Sequence, residues 1–245
     1  YFFLLFIFLL SFSMHLRAAN SVPSAIFLSS SSVNENSVIG TVIGTLSTAD
    51  ADVSDSHTYS LVAGAGGGSN SSFTIAGNQL LSNIVFNYEF VSSCSIRVQT
   101  NDGNGGVFEK IFVITVNNMN DVPYSIVLSN SSVNENVSLS SLVGNLSALD
   151  GDVGDVHTYT LVAGAGSANN ASFTISGNQL LTATALNFEV KSSYSIRIQT
   201  NDGNGGTYQK AFSIAVNDVN EAPLYHDAAV SIVENLSNAS NVLNT

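Results

Sequence analysis

Past residue 20 the chain alternates apolar and polar positions with a period of two. In "FTISG", Phe173 and Ile175 share one face and Thr174 takes the other. "YSIRIQT" sets Tyr194, Ile196 and Ile198 against Ser195, Arg197 and Gln199, and "FSIAV" sets Phe212, Ile214 and Val216 against Ser213 and Ala215. Successive side chains of a strand point to opposite faces, so this period predicts half-buried β-strands. No stretch past residue 20 sustains a helical period. Gly77-Asn78 and Gly177-Asn178 fall between short strands as tight-turn residues. The glycine-rich "AGAGGGSNSS" and "AGAGSANN" read as surface loops.

The same pattern then comes round again. "SSVNEN" at 31 recurs at 131, "HTYSLVAGAG" at 57 returns as "HTYTLVAGAG" at 157, and "CSIRVQTNDGNGG" at 94 as "YSIRIQTNDGNGG" at 194. A third copy begins at "SIVEN", residues 231–235. A period of about 100 residues is too long for a solenoid and suits a string of independent domains. The expected division is 20–121 and 122–221 as two full repeats, with 222–245 the start of a third. Each repeat holds about seven strands with one apolar face apiece. That predicts an all-β fold of tandem seven-stranded Greek-key β-sandwiches, immunoglobulin-like in architecture.

The N-terminus differs. "YFFLLFIFLLSF" is an apolar run of a dozen residues, shorter than the ~20 needed to span a bilayer. Residues 1–19 read as a truncated secretory signal, with an uncleaved anchor as the other reading. The cleavage region "LRAAN" has Arg17 where a small residue is usual. The single cysteine, Cys94, excludes an internal disulfide. Its counterpart is Tyr194, so the position reads as a core-facing slot rather than a reactive thiol.

Composition narrows function. Hydrophobic residues make up 44 % of the 245, so core material is ample, and only 10 % are charged, 18 acidic against 6 basic. Six cations spread along the chain build no phosphate footprint, which excludes nucleic acid as a partner. Most of the acids recur at fixed places beside turns and repeat ends: Glu35 and Glu135, Asp50-x-Asp52 and Asp150-x-Asp152, Glu89 and Glu189, Asp102 and Asp202, and Asp121, Asp218 and Glu221 at the junctions "NNMNDVP" and "VNDVNEAP". Crowded carboxylates repel one another unless a cation joins them. A hard divalent ion with oxygen ligands is the natural partner, and Ca2+ accepts six to eight oxygens in irregular geometry.

In these motifs the chain resembles tandem cadherin repeats of the bacterial surface-protein type, over everything past about residue 20. The family's Pro-Glu-Asn segment corresponds to Glu35, its Asp-x-Glu to Asn87-Tyr88-Glu89, and its Asp-x-Asn-Asp-Asn linker to Asn118-Met119-Asn120-Asp121. The next domain contributes Asp150-x-Asp152 and Asp202. The resemblance implies one complete calcium site between the repeats, with carboxylates Glu35, Glu89, Asp121, Asp150, Asp152 and Asp202. Asn87 and Asn118 stand where the family has Asp, which implies two or three ions and weaker affinity. Glu135, Asn187, Glu189, Asp218, Asn220 and Glu221 form half of a second site, and Asp50, Asp52 and Asp102 face an upstream domain. Strand-swapping cadherins dock a Trp, and this chain has none, so that adhesion chemistry does not carry over.

Rival readings fare worse. An EF-hand fails in "DADVSD", because its sixth position is Asp55 and its twelfth Leu61. "NDGNGG" occurs once per repeat and reads as a turn. His57 and His157 head a strand beside Asp55 and Asp155, where a local hydrogen bond outranks a transition-metal role. No Gly-x-Ser-x-Gly elbow, phosphate loop or His-Glu-x-x-His is present, so no enzyme is expected. Asn-x-Ser sequons stand at Asn70, Asn130, Asn136, Asn145, Asn170, Asn235 and Asn238. The expected function is calcium-dependent adhesion, homophilic adhesion included, or attachment at a cell surface. The alternatives are a passive calcium-stiffened stalk in a larger secreted protein and a carbohydrate-binding module. The expected partners are other cadherin-like repeats and cell-surface glycans. Membrane contact would come only through an anchor outside this sequence or the N-terminal apolar segment.

Overall fold

A computed structural model describes residues 19–222. The N-terminal apolar run and the start of a third repeat lie outside them. The described chain forms two compact units. One runs to Val122 and includes Asp150–Asp155; the other comprises Pro123–Leu149 and the residues from Val156 on. No helix among the described residues is long and apolar enough to cross a membrane.

The first unit holds β1 Ala25–Leu28, β2 Ser32–Asn34, β3 Val42–Ala49, β4 Thr58–Leu61, β5 Phe73–Ala76, β6 Gln79–Ser82, β7 Ser93–Asn101 and β8 Val107–Asn117. They form two four-stranded sheets, ordered β1-β3-β6-β5 and β2-β8-β7-β4. Eight segments fill seven strand positions because the first strand divides between the sheets. β1 pairs antiparallel with β3, and β2 pairs parallel with β8. The turn at Gly77 has φ +61 and links β5 to β6 through two residues, as a primed hairpin turn requires.

The period-two reading holds. In β7 Cys94, Ile96, Val98 and Thr100 are buried, while the residues between them are not. Cys94, Ile96 and Val98 meet Ile26, Leu46, Leu80 and Ile114 from the other strands in one core. The loop 62–72 lies at the surface but is pinned, since Asn70 Nδ2 donates to Val62 O at 2.8 Å and Asn70 Oδ1 accepts from Arg97 N at 3.0 Å.

The second unit repeats the plan with β9 Ser125–Leu128, β10 Ser132–Asn134, β11 Leu142–Leu149, β12 Thr158–Leu161, β13 Phe173–Ser176, β14 Gln179–Thr182, β15 Ser193–Asn201 and β16 Thr207–Asn217. Its sheets are β9-β11-β14-β13 and β10-β16-β15-β12. Cys94 and Tyr194 are both buried, at 5 % and 9 % exposure, so the slot they share faces the core.

Candidate metal centre

The parallel pairing of β2 with β8 ends at Asn34 opposite Asn117. Glu35 follows at once, and its N–H donates to Asn117 O at 3.1 Å. Its carboxylate is 2 % exposed. One oxygen accepts the N–H of Tyr88 at 2.6 Å and the other that of Met119 at 2.8 Å. A buried carboxylate thus holds together the loop that bears Glu89 and the segment that leads to Asp121. Glu35, Glu89 and Asp121 each place an oxygen within 4.8 Å of the others. Asn36, at a left-handed φ of 57°, donates its amide to Asp121 Oδ1 at 2.7 Å.

The second unit builds the same end. Glu135, 2 % exposed, accepts from Phe188 N at 2.8 Å and Val219 N at 2.9 Å. Glu135, Glu189, Asp218 and Glu221 bring oxygens within 4.8 Å of one another. Asn136, also at φ 57°, donates to Glu221 Oε1 at 2.7 Å. Asn136, Asn187, Glu189, Glu221 and Ala222 line an open hollow here.

The carboxylates of each cluster act on one another. The strongest influence on Glu89 is its own backbone N–H, which pulls its carboxyl down. Burial and the charges of Glu35, Asp121 and Asp152 together outweigh it and raise the carboxyl above the usual range. Glu189 is raised in the same way, against its own N–H, by burial and by Glu135 and Glu221. Glu135 is held low, first by the N–H of Phe188 and then by that of Val219.

At the other end of the first unit, Asp50, Asp55 and Asp102 place oxygens within 4.8 Å of one another. His57 Nε2 lies 3.0 Å from Asp50 Oδ2 and is the main reason the Asp50 carboxyl sits low. The expected local bond of His57 is therefore made to Asp50. Asp102 is 2 % exposed inside its turn and accepts from Asn20 Nδ2 at 2.9 Å, Asn104 N at 2.8 Å and Gly106 N at 2.9 Å. The side chain of Asn20 is the foremost cause of its lowered pKa. A Cβ at Gly106 would come within 2.1 Å of Asp102 Oδ2, so glycine is required there. Asp52 instead accepts the N–H of Ser21 at 2.6 Å, and Asp152 that of Asp121 at 2.6 Å.

The remaining predicted residues fall as follows. Asp150 Oδ1 accepts from Asp152 N at 3.3 Å, and Asp202 accepts from Asn204 N at 2.7 Å and Gly206 N at 2.9 Å. Asn87 and Asn187 use Oδ1 to cap a turn, at Phe90 N and Val190 N. Asn118, Asn120 and Asn220 are exposed, and Asn120 Nδ2 reaches Asp121 O at 3.0 Å. Sequence reasoning passed over Asp55, Asn36 and Asn136 as site residues. The signals were there in the recurrent Asp-x-Asp-x-x-Asp spacing and in the second Asn of "VNEN".

These donor sets are hard oxygens, and that chemistry fits a divalent cation of the calcium type. The buried Oδ2 of Asp55 has no hydrogen-bond partner, which is the condition a cation would relieve.

No family model matches the chain. Among curated proteins it is 28 % identical over 196 residues to Protocadherin Fat 2 of Rattus norvegicus, covering 78 % of this chain. It is 26 % identical over 213 residues to Protocadherin Fat 2 of Mus musculus, covering 83 %. The chain spans 4 % and 5 % of those proteins' lengths. Among solved structures, human Protocadherin-24 EC1-2 matches 82 % of this chain and 100 % of its own, with a TM-score of 0.65 at 19 % identity. Mouse Cadherin-23 EC22-24 matches 82 % of this chain and 68 % of its own, with a TM-score of 0.57 at 18 % identity. These likenesses show the fold: each unit is a β-sandwich with the fold of cadherin extracellular domains.

Proposed function

We propose that the chain is a pair of calcium-binding cadherin-like repeats, 20–121 and 122–221, that serves in adhesion at a cell surface. Residues 1–19 act as a secretory signal and 222–245 open a third repeat. The observation that carries this reading is the recurrence of one carboxylate cluster at the same end of both units, Glu35-Glu89-Asp121 and Glu135-Glu189-Asp218-Glu221. In each, one glutamate is pushed toward its protonated form by its neighbours. Such a cluster stores repulsion that a divalent cation removes.

When bound, calcium supplies the positive charge. Glu35 and Glu135 hold the loop and the linker in place, while Glu89, Asp121, Glu189, Asp218 and Glu221 offer the free oxygens. With Asp150, Asp152 and Asp202 added, the ion joins one repeat to the next and stiffens the joint. Extracellular modules bind calcium at roughly 0.1–1 mM. At tenfold excess, linkage contributes only ~1.4 kcal/mol per ion. That is small beside the stability of a domain but enough to set a joint.

The partners in this reading are other cadherin-like repeats, in the same chain or on neighbouring molecules, and cell-surface glycans. It includes an extracellular location and no enzymatic role. The bacterial surface-protein form belongs to the proposal too. A full reading frame with many repeats and a bacterial secretion or anchoring signal supports it, and an animal-type membrane span with a cytoplasmic tail overturns it.

Small-angle scattering of the tandem in calcium and in chelator tests the joint. The expected result is a longer, narrower distance distribution in calcium, with both sandwiches still folded in chelator. Identical profiles overturn the reading. Bead aggregation separates adhesion from a passive stalk: calcium-dependent clumping of coated beads supports adhesion, and its absence with stiffening intact supports the stalk.

A further inference from the structure

The sequons differ sharply in what the fold has done with their asparagines. Asn70 and Asn170 are locked at both ends. Each Nδ2 donates to a carbonyl, Val62 O at 2.8 Å or Val162 O at 2.9 Å, and each Oδ1 accepts a backbone N–H, from Arg97 at 3.0 Å or Arg197 at 2.9 Å. Asn130 commits its amide group twice, to Ser132 O at 2.7 Å and Val143 O at 2.8 Å. Asn136 stands within the acidic cluster and donates to Glu221.

Asn145 alone among these is uncommitted. It lies on β11 between buried Gly144 and buried Leu146, with its side chain on the exposed face. Among the described residues its side-chain amide makes no hydrogen bond. Ser147, the third residue of the sequon, is exposed on the same face. An N-linked glycan is bulky and polar and needs such a surface position.

We infer that Asn145 is the glycan acceptor among the described sequons when the protein is exported through a pathway that attaches N-linked oligosaccharides. The step is a glycosyl transfer from a lipid-linked oligosaccharide diphosphate. Asn145 Nδ2 bonds to the anomeric carbon and loses one of its two protons to the transferase. The carbon–oxygen bond to the phosphate breaks, and the lipid diphosphate leaves with the electron pair. Oδ1 and the hydroxyl of Ser147 are retained.

The position has a consequence for contacts. Ser147 stands opposite Val127 in the β9–β11 ladder, and Val127 is 42 % exposed. A glycan here covers the outer face of the β9-β11-β14-β13 sheet and reserves it for solvent. The first repeat has Thr45 at this place, so no sequon stands there, and exposed Phe27 lies opposite Ser47. The two repeats therefore differ in which outer face is open to a protein partner. The inference shares with the adhesion reading only the extracellular location, and calcium plays no part in it.

The test is secretion of the full chain from a eukaryotic host, behind a host signal. Enzymatic glycan release in heavy-oxygen water converts each occupied Asn to a labelled Asp, and peptide mass spectrometry reads the sites. The expected result is label at Asn145, absent in both Asn145→Gln and Ser147→Ala with thermal unfolding unchanged. Thr45→Asn, which completes Asn-Leu-Ser in the first repeat, is expected to gain a glycan. A secreted, folded chain with no label at Asn145 overturns the inference, whatever the other sequons carry.

Discussion

Phe73 and Phe173 occupy the same core position but find their aromatic partners in different places. Phe73 packs on Phe86 at a centroid distance of 5.3 Å, and Phe173 on Tyr194 at 5.8 Å, edge to face. The first repeat thus pairs Phe86 with Cys94, and the second pairs Leu186 with Tyr194, so a large residue at one position is matched by a small one at the other. Cys94→Tyr alone overfills the first core and is expected to cost about 1–3 kcal/mol in chemical denaturation. Adding Phe86→Leu should recover most of that loss. A second residue-scale prediction concerns Thr200, whose buried hydroxyl has the Tyr159 side chain near it but lacks the threonine partner of its counterpart. Its counterpart Thr100 bonds Thr48 at 2.9 Å, and Thr48 bonds Tyr59 at 2.9 Å. The second repeat has Ala148 in place of Thr48, so Ala148→Thr is expected to stabilise it by about 1 kcal/mol, read as a higher melting temperature. The Cys94/Tyr194 slot was readable in the sequence because β7 and β15 alternate cleanly. The compensation at Phe86 was not, since that residue sits outside the strands and carries no period.

The strands and hairpins followed from local pattern, and the division of the first strand did not. Nothing in "AIFLSSSSVN" announces that β1 joins one sheet and β2 the other; only the pairing across the sandwich decides it. That division matters, because it delivers Glu35 and Glu135 to the end where β8 and β16 leave their sheets. The acids could be read from their recurrence, while the anchoring of Glu35 by two backbone amides depends on tertiary contact. Titration separates the roles within one end. In calcium-free protein Glu135 is expected to titrate below the ~4.3 of a free glutamate, and Glu189 above it. A depressed acid contributes stability that is present above ~4.3 and is lost as pH falls through its folded value. A raised acid contributes stability that is present below ~4.3 and is lost as pH rises through its folded value. Carboxyl carbon NMR should show this order, and added calcium should bring the Glu189 transition down. Glu189 titrating at or below the free value without calcium would contradict the repulsion on which the site is built.

Across the whole chain, 18 acids against 6 bases leave a formal charge of −12, and the recurrent acids gather at the ends of the repeats. The resemblance to cadherin repeats rested on such short motifs in fixed order, and the fold agrees with it at identities of 18–19 %. Where the chain departs from the family, at Asn87, the amide oxygen caps a turn, which keeps the loop's shape while removing a negative charge. Calorimetric titration of the intact tandem with calcium tests the central claim most directly, alongside Asp121→Asn in the same buffer. Saturable uptake at roughly 0.1–1 mM, weakened about tenfold or more in the variant, is the predicted result. No heat at millimolar calcium, or a variant that binds as the parent does, would contradict it.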